Sequence, residues 1–535
     1  MNWELRQEID KELSPIQSIF KNRGLNYTKE EIIRYLNPTA NEILDVALIE
    51  HLRDGAEMLM KHVRADDKVL LVVDEDCDGY TSAAFFLNYF NKLFPSFVQN
   101  NIRYVVHPNK AHGIPIELIK DEKLIIVPDA SSNEFALHEV LYHKGVDILV
   151  IDHHEAPKFS EYACVINNQV GNYPNKTLSG VGMVYKFCTF FDKLMNTHHC
   201  GDLMDLVALG LVGDMMDLRN LETRYLVKTG FEKILNPFLQ AMVLKQEYLI
   251  KGELNPHRAA FYIVPGINAI TRIGTVEEKL ILFESMLEYK AYEMIPSTKR
   301  GAKGTMESRV EQSVRNCTNI KNRQDKLKIE MSEKIDKVIQ EKNLLNNKLL
   351  VIKVKEPINT GLTGLVANQV ANKYKRPTLI LNRRQKDNGP VTYEGSGRNF
   401  ANSPITDFRQ FLEDTQLIMY AQGHSSAFGF GITEENFNKF IETTNSRLEN
   451  LDFSCKYDVD LVWENSEVSN FDIIDIAECE NIWGQGIEEP LVLIKNVTVT
   501  KDNLWLFKEK VLKIENPQGL TFVNLSSNTE EYESL

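Results

Sequence analysis

The chain has 535 residues, of which 43% are hydrophobic and 25% are charged, a balance typical of soluble globular proteins. Because one hydrophobic core rarely organises more than about 250–300 residues, this length predicts roughly two to four domains. The formal net charge of −14 excludes a uniformly basic surface for nucleic acid, although a local basic groove is compatible with an acidic whole.

Targeting and redox signals point to the cytoplasm. No run of about 18 apolar residues occurs, so no membrane span is predicted. The N-terminus, Met1-Asn2-Trp3-Glu4-Leu5-Arg6, lacks the pattern of a signal peptide. Seven scattered cysteines, an odd number, favour a reducing compartment over a disulfide framework.

Residues 1–65 are predicted to be helical, because apolar residues recur at steps of three and four in 32–36 and 43–49. From 66 to 285, short apolar runs alternate with amphipathic stretches. They predict strands at 68–73, 102–106, 123–127 and 146–151 and helices at 81–94 and 203–212. This alternation indicates an α/β domain with a doubly wound parallel sheet.

The remaining chain predicts a linker and two further domains. A long linking helix is expected at about 305–345, which is charged and contains no Pro or Gly. A smaller mixed α/β domain should follow, with apolar runs at 348–352 and 377–381. Short β-like runs near the end predict a small antiparallel barrel, and a frayed acidic tail is expected at 530–533; the runs are 491–494, 497–499, 504–507 and 520–523.

Acidic and imidazole side chains follow the predicted strands of the α/β domain. Three carboxylates come directly after the apolar run 69–73, and the others are spread over the next 140 residues; they are Asp74, Asp76, Asp78, Asp129, Asp152-His153-His154 and Asp214. In an open parallel sheet the carboxyl ends of the strands share one edge, where ligands bind, so these groups should converge. An oxygen-rich, nitrogen-poor set favours Mn²⁺ or Mg²⁺ over a structural Zn²⁺.

Each signal has a simpler explanation when it is taken alone. A single Asp after a strand commonly caps a turn or helix, and D-x-D-x-D-G also begins calcium loops. The calcium loop is disfavoured, because the position six residues after Gly79 holds Phe85 instead of glutamate. His198-His199-Cys200 lacks a second Cys/His pair and is predicted to be a surface loop. The ordered set of acidic segments favours a metal site.

The segment Asp74-x-Asp76-x-Asp78-Gly79-x-Thr81-Ser82, followed by Asp152-His153-His154, resembles the DHH phosphoesterase superfamily. Further segments are similar to its RecJ branch of single-stranded-DNA-specific exonucleases; they are 178–182 (LSGVG), 205–214 (DLVALGLVGD), 265–272 (PGINAITR), 361–367 (GLTGLVA), 395–398 (GSGR), 423–430 (GHSSAFGF) and 483–490 (WGQGIEEP). Val72 stands where smaller DHH phosphatases carry a metal-binding His, which also favours the RecJ branch. The resemblance spans about residues 68 to 500.

The resemblance implies an N-terminal helical segment and four further regions. These are the DHH catalytic domain (66–285), a helical linker (286–345), the smaller mixed α/β DHH-associated domain (346–440) and an OB-like β-barrel with an acidic tail (441–535). Two departures from the family pattern concern the loop after Asp129, which reads Ala130-Ser131-Ser132 without a Gly, and the barrel segment, which has Ile482-Trp483 and Glu489-Pro490.

The resemblance also implies two divalent cations, Mn²⁺ or Mg²⁺. One would be held by Asp74, Asp76 and Asp129, and the other by Asp78, Asp129, His153 and Asp214. His154 would contact the scissile phosphate or act as an acid near the leaving group, and Asp152 would orient a histidine.

A second set of residues is implied for holding the DNA strand. Arg272, Arg398 and His424 would bind phosphates, and Asn268 would fix the nearby backbone or substrate. Gly397 and Gly423 would allow the backbone to approach a sugar-phosphate chain closely.

The expected function is a metal-dependent exonuclease that hydrolyses single-stranded DNA in recombination or repair. The 5′ to 3′ polarity comes from the resemblance only. A monomer is expected, with a helicase or single-strand-binding protein as a further partner and no membrane. One alternative is a DHH phosphodiesterase for short oligonucleotides or cyclic dinucleotides, which would lack the long helix and the barrel. Another is an inactive DHH scaffold that binds DNA or replication proteins, which would have lost metal ligands.

Overall fold

The computed structural model describes residues 2–8, 10–108, 111–302, 304–354, 360–385, 389–454, 456–517, 519–525 and 527–535. It divides into two units. The large unit comprises Asn37–Cys455 and Gly484–Ile487, and the small unit comprises Met1–Leu36, Lys456–Trp483 and Glu488–Leu535.

The strands, in chain order, are β1 (Asn2–Leu5), β2 (Val69–Val73), β3 (Ile102–Val106), β4 (Leu124–Pro128), β5 (Asp147–Asp152), β6 (Cys164–Asn167), β7 (Met294–Pro296), β8 (Met306–Ser308), β9 (Leu350–Val354), β10 (Thr378–Arg384), β11 (Thr392–Arg398), β12 (Tyr420–His424), β13 (Ala427–Thr433), β14 (Lys456–Val459), β15 (Leu461–Glu464), β16 (Val492–Lys495), β17 (Leu504–Phe507), β18 (Val511–Glu515) and β19 (Thr521–Asn524).

The α-helices are α1 (Pro15–Asn22), α2 (Lys29–Leu36), α3 (Leu52–Ala65), α4 (Cys77–Leu93), α5 (Pro95–Asn101), α6 (Phe135–His143), α7 (Gly180–Met195), α8 (Met204–Gly213), α9 (Leu221–Glu232), α10 (Pro237–Lys245), α11 (Glu247–Ile250), α12 (Pro256–Arg258), α13 (Val264–Ile273), α14 (Val276–Ser285), α15 (Arg309–Glu341), α16 (Thr360–Tyr374), α17 (Phe408–Glu413), α18 (Glu434–Leu448), α19 (Asn470–Ala477) and α20 (Thr529–Ser534). Short 3₁₀ turns occur at Ala40–Glu42, Val46–Leu48, Ile116–Leu118, His199–Leu203, Leu344–Asn346 and Glu480–Ile482, and a π-helical turn occurs at Ala259–Ile263.

A parallel sheet with the order β3-β2-β4-β5-β6 forms the first lobe of the large unit, the parallel-sheet lobe. Both faces are covered, because alternate residues of β2 enter two different cores: Val69, Leu71 and Val73 enter one, and Leu70 and Val72 the other. Continuous apolar strands are what a sheet buried on both faces requires. The predicted α/β class and its four strands are confirmed, and β6 is a fifth strand that the sequence analysis missed.

A mixed sheet with the order β12-β13-β11-β10-β9 forms the second lobe, the mixed-sheet lobe. Only β9 and β10 pair in parallel. Helix α16 contributes to the core on one face of this sheet and α18 to the core on the other. The predicted smaller mixed α/β region is therefore present.

The long helix predicted between the lobes is α15, which has 33 residues. It begins at a capping box, in which Ser308 and Glu311 bond each other's backbone N–H groups. Its first half places Val310 and Val314 in the core of the parallel-sheet lobe, and its second half places Ile335 and Ile339 in the core of the mixed-sheet lobe. One rigid element thus joins two hydrophobic cores.

The small unit combines α1 and α2 with the C-terminal strands. It contains the parallel pairs β1–β14 and β15–β16 and the antiparallel sheet β17-β18-β19. Three expectations are corrected: β1 is a strand within the predicted helical segment, 497–499 is not a strand, and 530–533 lie in α20. The closed barrel and the domain boundaries stay predictions. Among the described residues, no helix combines the length and apolarity that crossing a membrane requires.

Candidate metal centre

Three neighbouring strands of the parallel sheet end in the predicted acidic groups. β2 leads into Asp74, β4 into Asp129, and β5 ends at Asp152. Because the strands are parallel and adjacent, these residues meet at one edge of the sheet. Asp214, the residue after α8, joins them from the side.

Three groups of potential ligand atoms form at this edge; one joins Asp129, Asp152, His153 and His154, and the other two lie within the predicted ion sites. Oxygens of Asp74, Asp76 and Asp129 lie within 4.8 Å of one another. Atoms of Asp78, His153 and Asp214 make a second such group. His153 Nε2 lies 3.2 Å from Asp129 Oδ1 and 3.3 Å from Asp214 Oδ2, so Asp129 adjoins both groups.

Several of these buried atoms lack a hydrogen-bond partner among the described residues; they are Asp74 Oδ1, Asp129 Oδ1, His153 Nε2 and Asp214 Oδ2. His153 Nε2 is close to two carboxylates, but the alignment needed for a hydrogen bond is missing. Orphaned buried polar atoms are costly, and groups that converge without bonding each other suit a cation between them. The residues present therefore fit divalent metal ions.

The charge balance supports the same conclusion. Burial, and then the negative charge of Asp78, raises the pKa of both Asp129 and Asp214 well above its usual range. Burial lowers the pKa of His153 to about 4, so its imidazole is neutral at pH 7 and able to bind a metal. Divalent cations would offset the repulsion between the carboxylates.

The N-terminus of α7 positions Asp78. Its carboxylate accepts hydrogen bonds from Ser179 Oγ (2.8 Å), Gly180 N (2.6 Å) and Val181 N (3.2 Å). A helix N-terminus favours negative charge through its free N–H groups. A Cβ on Gly180 would overlap the carboxylate of Asp129, which itself has a left-handed φ of +68°. The 178–182 segment is thus built around two predicted ligands.

Asp152 fixes the ring of His154. It is fully buried and accepts hydrogen bonds from His153 N (2.7 Å) and His154 Nδ1 (2.8 Å). Burial opposes its ionisation, but the hydrogen bond and charge of His154 outweigh this and lower the pKa of Asp152. Burial likewise opposes protonation of His154, yet Asp152 raises the pKa of His154 to about 10. His154 is half exposed beside the two ligand groups.

Sequence reasoning missed His112, Glu75 and Lys279. His112 Nδ1 lies 2.7 Å from Asp74 Oδ2. Glu75 and Lys279 form a buried ion pair, Lys279 also donates to His107 O at 3.0 Å, and Glu75 accepts from Ala111 N at 2.9 Å. These bonds hold the loop after β3 against the sheet edge that carries the candidate ligands. No local pattern in the sequence signals them, because they join segments about 35 and 200 residues apart.

Two arginines from different lobes lie near the centre. Burial, opposed by the charges of Asp76 and Glu75, lowers the pKa of Arg272 on α13. Burial, and then the charge of Arg272, lowers the pKa of Arg398 at the end of β11 to about 10. Among the described residues no carboxylate forms an ion pair with either guanidinium. Two guanidiniums without a carboxylate partner, one of which acts on the charge of the other, suit an anion.

The other predicted strand-binding residues surround this pair. Asn268 Oδ1 accepts from Cys77 N at 3.0 Å, at the start of α4. His424 ends β12, is exposed, and lies close enough for its charge to lower the pKa of His153. Gly423 has φ +133°, and a Cβ on Gly397 would come within 2.5 Å of the Phe428 ring. These glycines therefore serve the packing of the mixed sheet, and a contact with DNA stays a prediction.

Known proteins resemble this chain in sequence. The family model "DHH family, N-terminal domain" matches residues 68–211. YorK of the SPbeta prophage of Bacillus subtilis (strain 168), provisionally named a single-strand DNA-specific exonuclease, is 35% identical over 508 residues that cover 94% of this chain and 86% of YorK. The single-stranded-DNA-specific exonuclease RecJ of the same organism is 23% identical, over 93% of this chain and 62% of RecJ.

A solved structure shares the fold. The crystal structure of RecJ from Thermus thermophilus in complex with Mn²⁺ gives a TM-score of 0.71 at 18% identity, over 96% of this chain and 70% of that chain. The Mg²⁺ complex of that protein gives a TM-score of 0.66. At this identity the likeness shows the fold alone. Together with the extent of the match to YorK, it shows that the chain belongs to the DHH family and is related to the RecJ and YorK single-strand DNA-specific exonucleases.

Proposed function

We propose that this protein is a metal-dependent exonuclease that hydrolyses single-stranded DNA. The observation that carries the proposal is the pair of ligand groups at the sheet edge, with four buried ligand atoms that the described residues leave without hydrogen bonds. The 35% identity to YorK over most of both chains supports the choice of substrate. A 5′ to 3′ polarity and a role in recombination or repair are part of the proposal.

Asp74, Asp76 and Asp129 would hold one divalent cation, Mn²⁺ or Mg²⁺, and Asp78, Asp129, His153 and Asp214 would hold the other. Two such ions, when bound, lower the pKa of a water molecule and stabilise the charge that builds on phosphate during a displacement. The N-terminus of α7 holds the carboxylate of Asp78 in place through three hydrogen bonds.

His154 would act on the substrate directly. Its Nδ1 is held by Asp152 at 2.8 Å, so Nε2 is the nitrogen available to a phosphate or to the leaving oxygen. The raised pKa of His154 keeps the ring protonated at neutral pH. A protonated imidazole can hold a phosphate oxygen by a charge-assisted hydrogen bond or donate its proton to the departing strand.

Arg272, Arg398 and His424 would hold phosphates of the strand beside the metal edge. Asn268 would keep the start of α4, and with it Asp78, in register with α13 through its bond to Cys77. The small unit, with the predicted OB-like barrel, would stack bases without reading sequence. We expect a cytoplasmic monomer that works with a helicase or a single-strand-binding protein.

End-labelled DNA tests the proposal. With Mn²⁺, the protein should degrade a single-stranded oligonucleotide and leave the duplex intact, and 5′ and 3′ labels report polarity. Asp129→Ala should abolish this activity while circular dichroism shows an intact fold. Full activity of Asp129→Ala would contradict the assignment.

Turnover of a dinucleotide relative to a long strand separates the exonuclease from the short-substrate phosphodiesterase. A marked preference for the dinucleotide would favour the phosphodiesterase. The 33-residue α15 and the C-terminal sheets favour the exonuclease, since the short-substrate enzymes are expected to lack both. Retention of all six predicted ligand residues disfavours an inactive scaffold.

A further inference from the structure

The helical segment that ends in α13 contains a π-helical turn. α12, the π-helical turn Ala259–Ile263 and α13 follow one another without a break from residue 256 to 273. Such turns are rare and frequently occur at functional sites. This one carries Phe261, which is 64% exposed.

Phe261 is held in a defined orientation. Its ring stacks on His257, with ring centroids 4.5 Å apart and planes inclined by 25°. His257 thus supports one side of the Phe261 ring, and the exposure of Phe261 leaves the other side open. Single exposed hydrophobic side chains are common, so the significance of this ring depends on where it lies.

Three partly exposed residues of α13 share a helix face with Phe261. Apart from the final residue, the partly exposed positions of α13 are Pro265, Asn268 and Arg272, and the others are buried. From Phe261 onward the steps are four, three and four residues, the spacing that keeps side chains on one helix face. We call Phe261, Pro265, Asn268 and Arg272 the stripe.

The stripe leads away from the metal centre. Asn268 accepts a hydrogen bond from the first residue of α4, the helix that carries Asp78. The negative charge of Asp76 acts to raise the pKa of Arg272. At 1.5 Å per residue, Phe261 lies about 10 Å along the helix from Asn268 and about 16 Å from Arg272. A stacked single strand with a rise of ~3.4 Å would cover this span with about three to five nucleotides.

We propose that single-stranded DNA runs along the stripe and that one nucleobase, about three to five nucleotides from the scissile phosphate, stacks on Phe261. This inference rests on the proposed function and adds a base-binding subsite to it. Stacking on an aromatic ring accepts every base, which suits an enzyme that must advance through any sequence.

Binding without hydrolysis tests the subsite. In EDTA, a single-stranded 12-mer carrying 2-aminopurine at successive positions should show its strongest quenching at one position about three to five nucleotides from the bound end. Phe261→Ala should remove that quenching and weaken binding about 5- to 150-fold, the usual effect of removing one stacking ring. Phe261→Trp should retain both.

Tyr248→Ala is the matched control, because Tyr248 is an 86% exposed aromatic residue of the large unit that lies outside the stripe. It should bind like the wild type. If Phe261→Ala also binds like the wild type, with an unchanged quenching profile, the inference is wrong.

Substrate length separates this inference from the proposed function. With Mn²⁺, Phe261→Ala should raise KM for the 12-mer and leave KM for a dinucleotide unchanged, since a dinucleotide cannot reach Phe261. A wild-type protein that quenches as described but hydrolyses no DNA contradicts the proposed function alone. Hydrolysis with an unaltered KM in Phe261→Ala contradicts the inference alone. A wild-type protein that neither binds nor hydrolyses DNA contradicts both.

Discussion

Asp129→Asn tests the idea that the carboxylates of the metal centre repel one another until cations bind. An oxygen of Asp129 lies within 4.8 Å of oxygens of Asp74 and Asp76. Two unit charges 4.8 Å apart repel by about 3.5 kcal/mol at an effective dielectric constant of ~20; a shorter separation raises this value, and the spread of each charge over two oxygens lowers it. Removing the Asp129 charge should therefore stabilise the cation-free protein.

The pH dependence has a definite sign. The pKa of Asp129 in the folded protein is raised above its unfolded value, so above about pH 4 the folded protein keeps a proton that the unfolded chain releases. The free energy of unfolding without cations then falls as pH rises, by about 1.4 kcal/mol per pH unit for each such group, until the folded pKa is reached. In Asp129→Asn, the contribution of Asp129 to this fall in the free energy of unfolding with pH should be absent.

Thermal unfolding at pH 5–8, in EDTA and in Mn²⁺, measures both effects. In EDTA the variant should melt above the wild type, by about 2–4 °C for each kcal/mol in a domain of ~150–250 residues. Mn²⁺ at 100 times its Kd should stabilise the wild type by about 2.7 kcal/mol and the variant far less. Asp54→Asn, at a side chain 69% exposed, should change neither. A variant no more stable than the wild type in EDTA, with the same response to Mn²⁺, would refute the reasoning.

Two further predictions concern neighbouring contacts. Lys279→Met leaves the carboxylate of Glu75 buried without its cation and should lower the free energy of unfolding by about 3–5 kcal/mol. The double variant Lys279→Met/Glu75→Gln should recover most of this loss. Denaturation of the single and double variants measures both values, and equal losses would contradict the reasoning. Gly180→Ala places a Cβ against the Asp129 carboxylate, so it should abolish the stabilisation by Mn²⁺ and the proposed DNase activity. Gly201→Ala, where the described residues leave 4 Å of open space around the added Cβ, should behave as the wild type in melting and nuclease assays.

The parallel-sheet lobe was predictable because its strands are continuous apolar runs, which a sheet buried on both faces requires. β2, β4 and β5 could be placed within a residue or two for that reason. β6 has only four residues, and the sequence analysis did not predict it. β1 was missed because it pairs with β14, a strand more than 450 residues away, and no local pattern reports such a pairing.

The predicted ligand positions rest partly on the same logic, since Asp74, Asp129 and Asp152 stand where parallel strands end and such ends share an edge. The approach of His112 to Asp74 could not be found in this way. It depends on the loop after β3, which is held by Glu75, just after β2, and by Lys279 on the distant helix α14. Candidate ligand residues can be inferred from strand order, whereas the residues that position them depend on tertiary contacts between loops and helices.

Arg272 and Arg398 show why the proposed phosphate site needs both lobes. Each arginine is partly buried, and Arg272 further lowers the pKa of Arg398, so the pair is costly without an anion between or beside them. Arg272 belongs to α13 beside the parallel sheet and Arg398 to the edge of β11 in the mixed sheet. Because α15 is packed into both cores, it fixes the distance between the arginines. The helix that joins the lobes therefore also sets the geometry with which the two arginines could bind a phosphate beside the candidate metal centre.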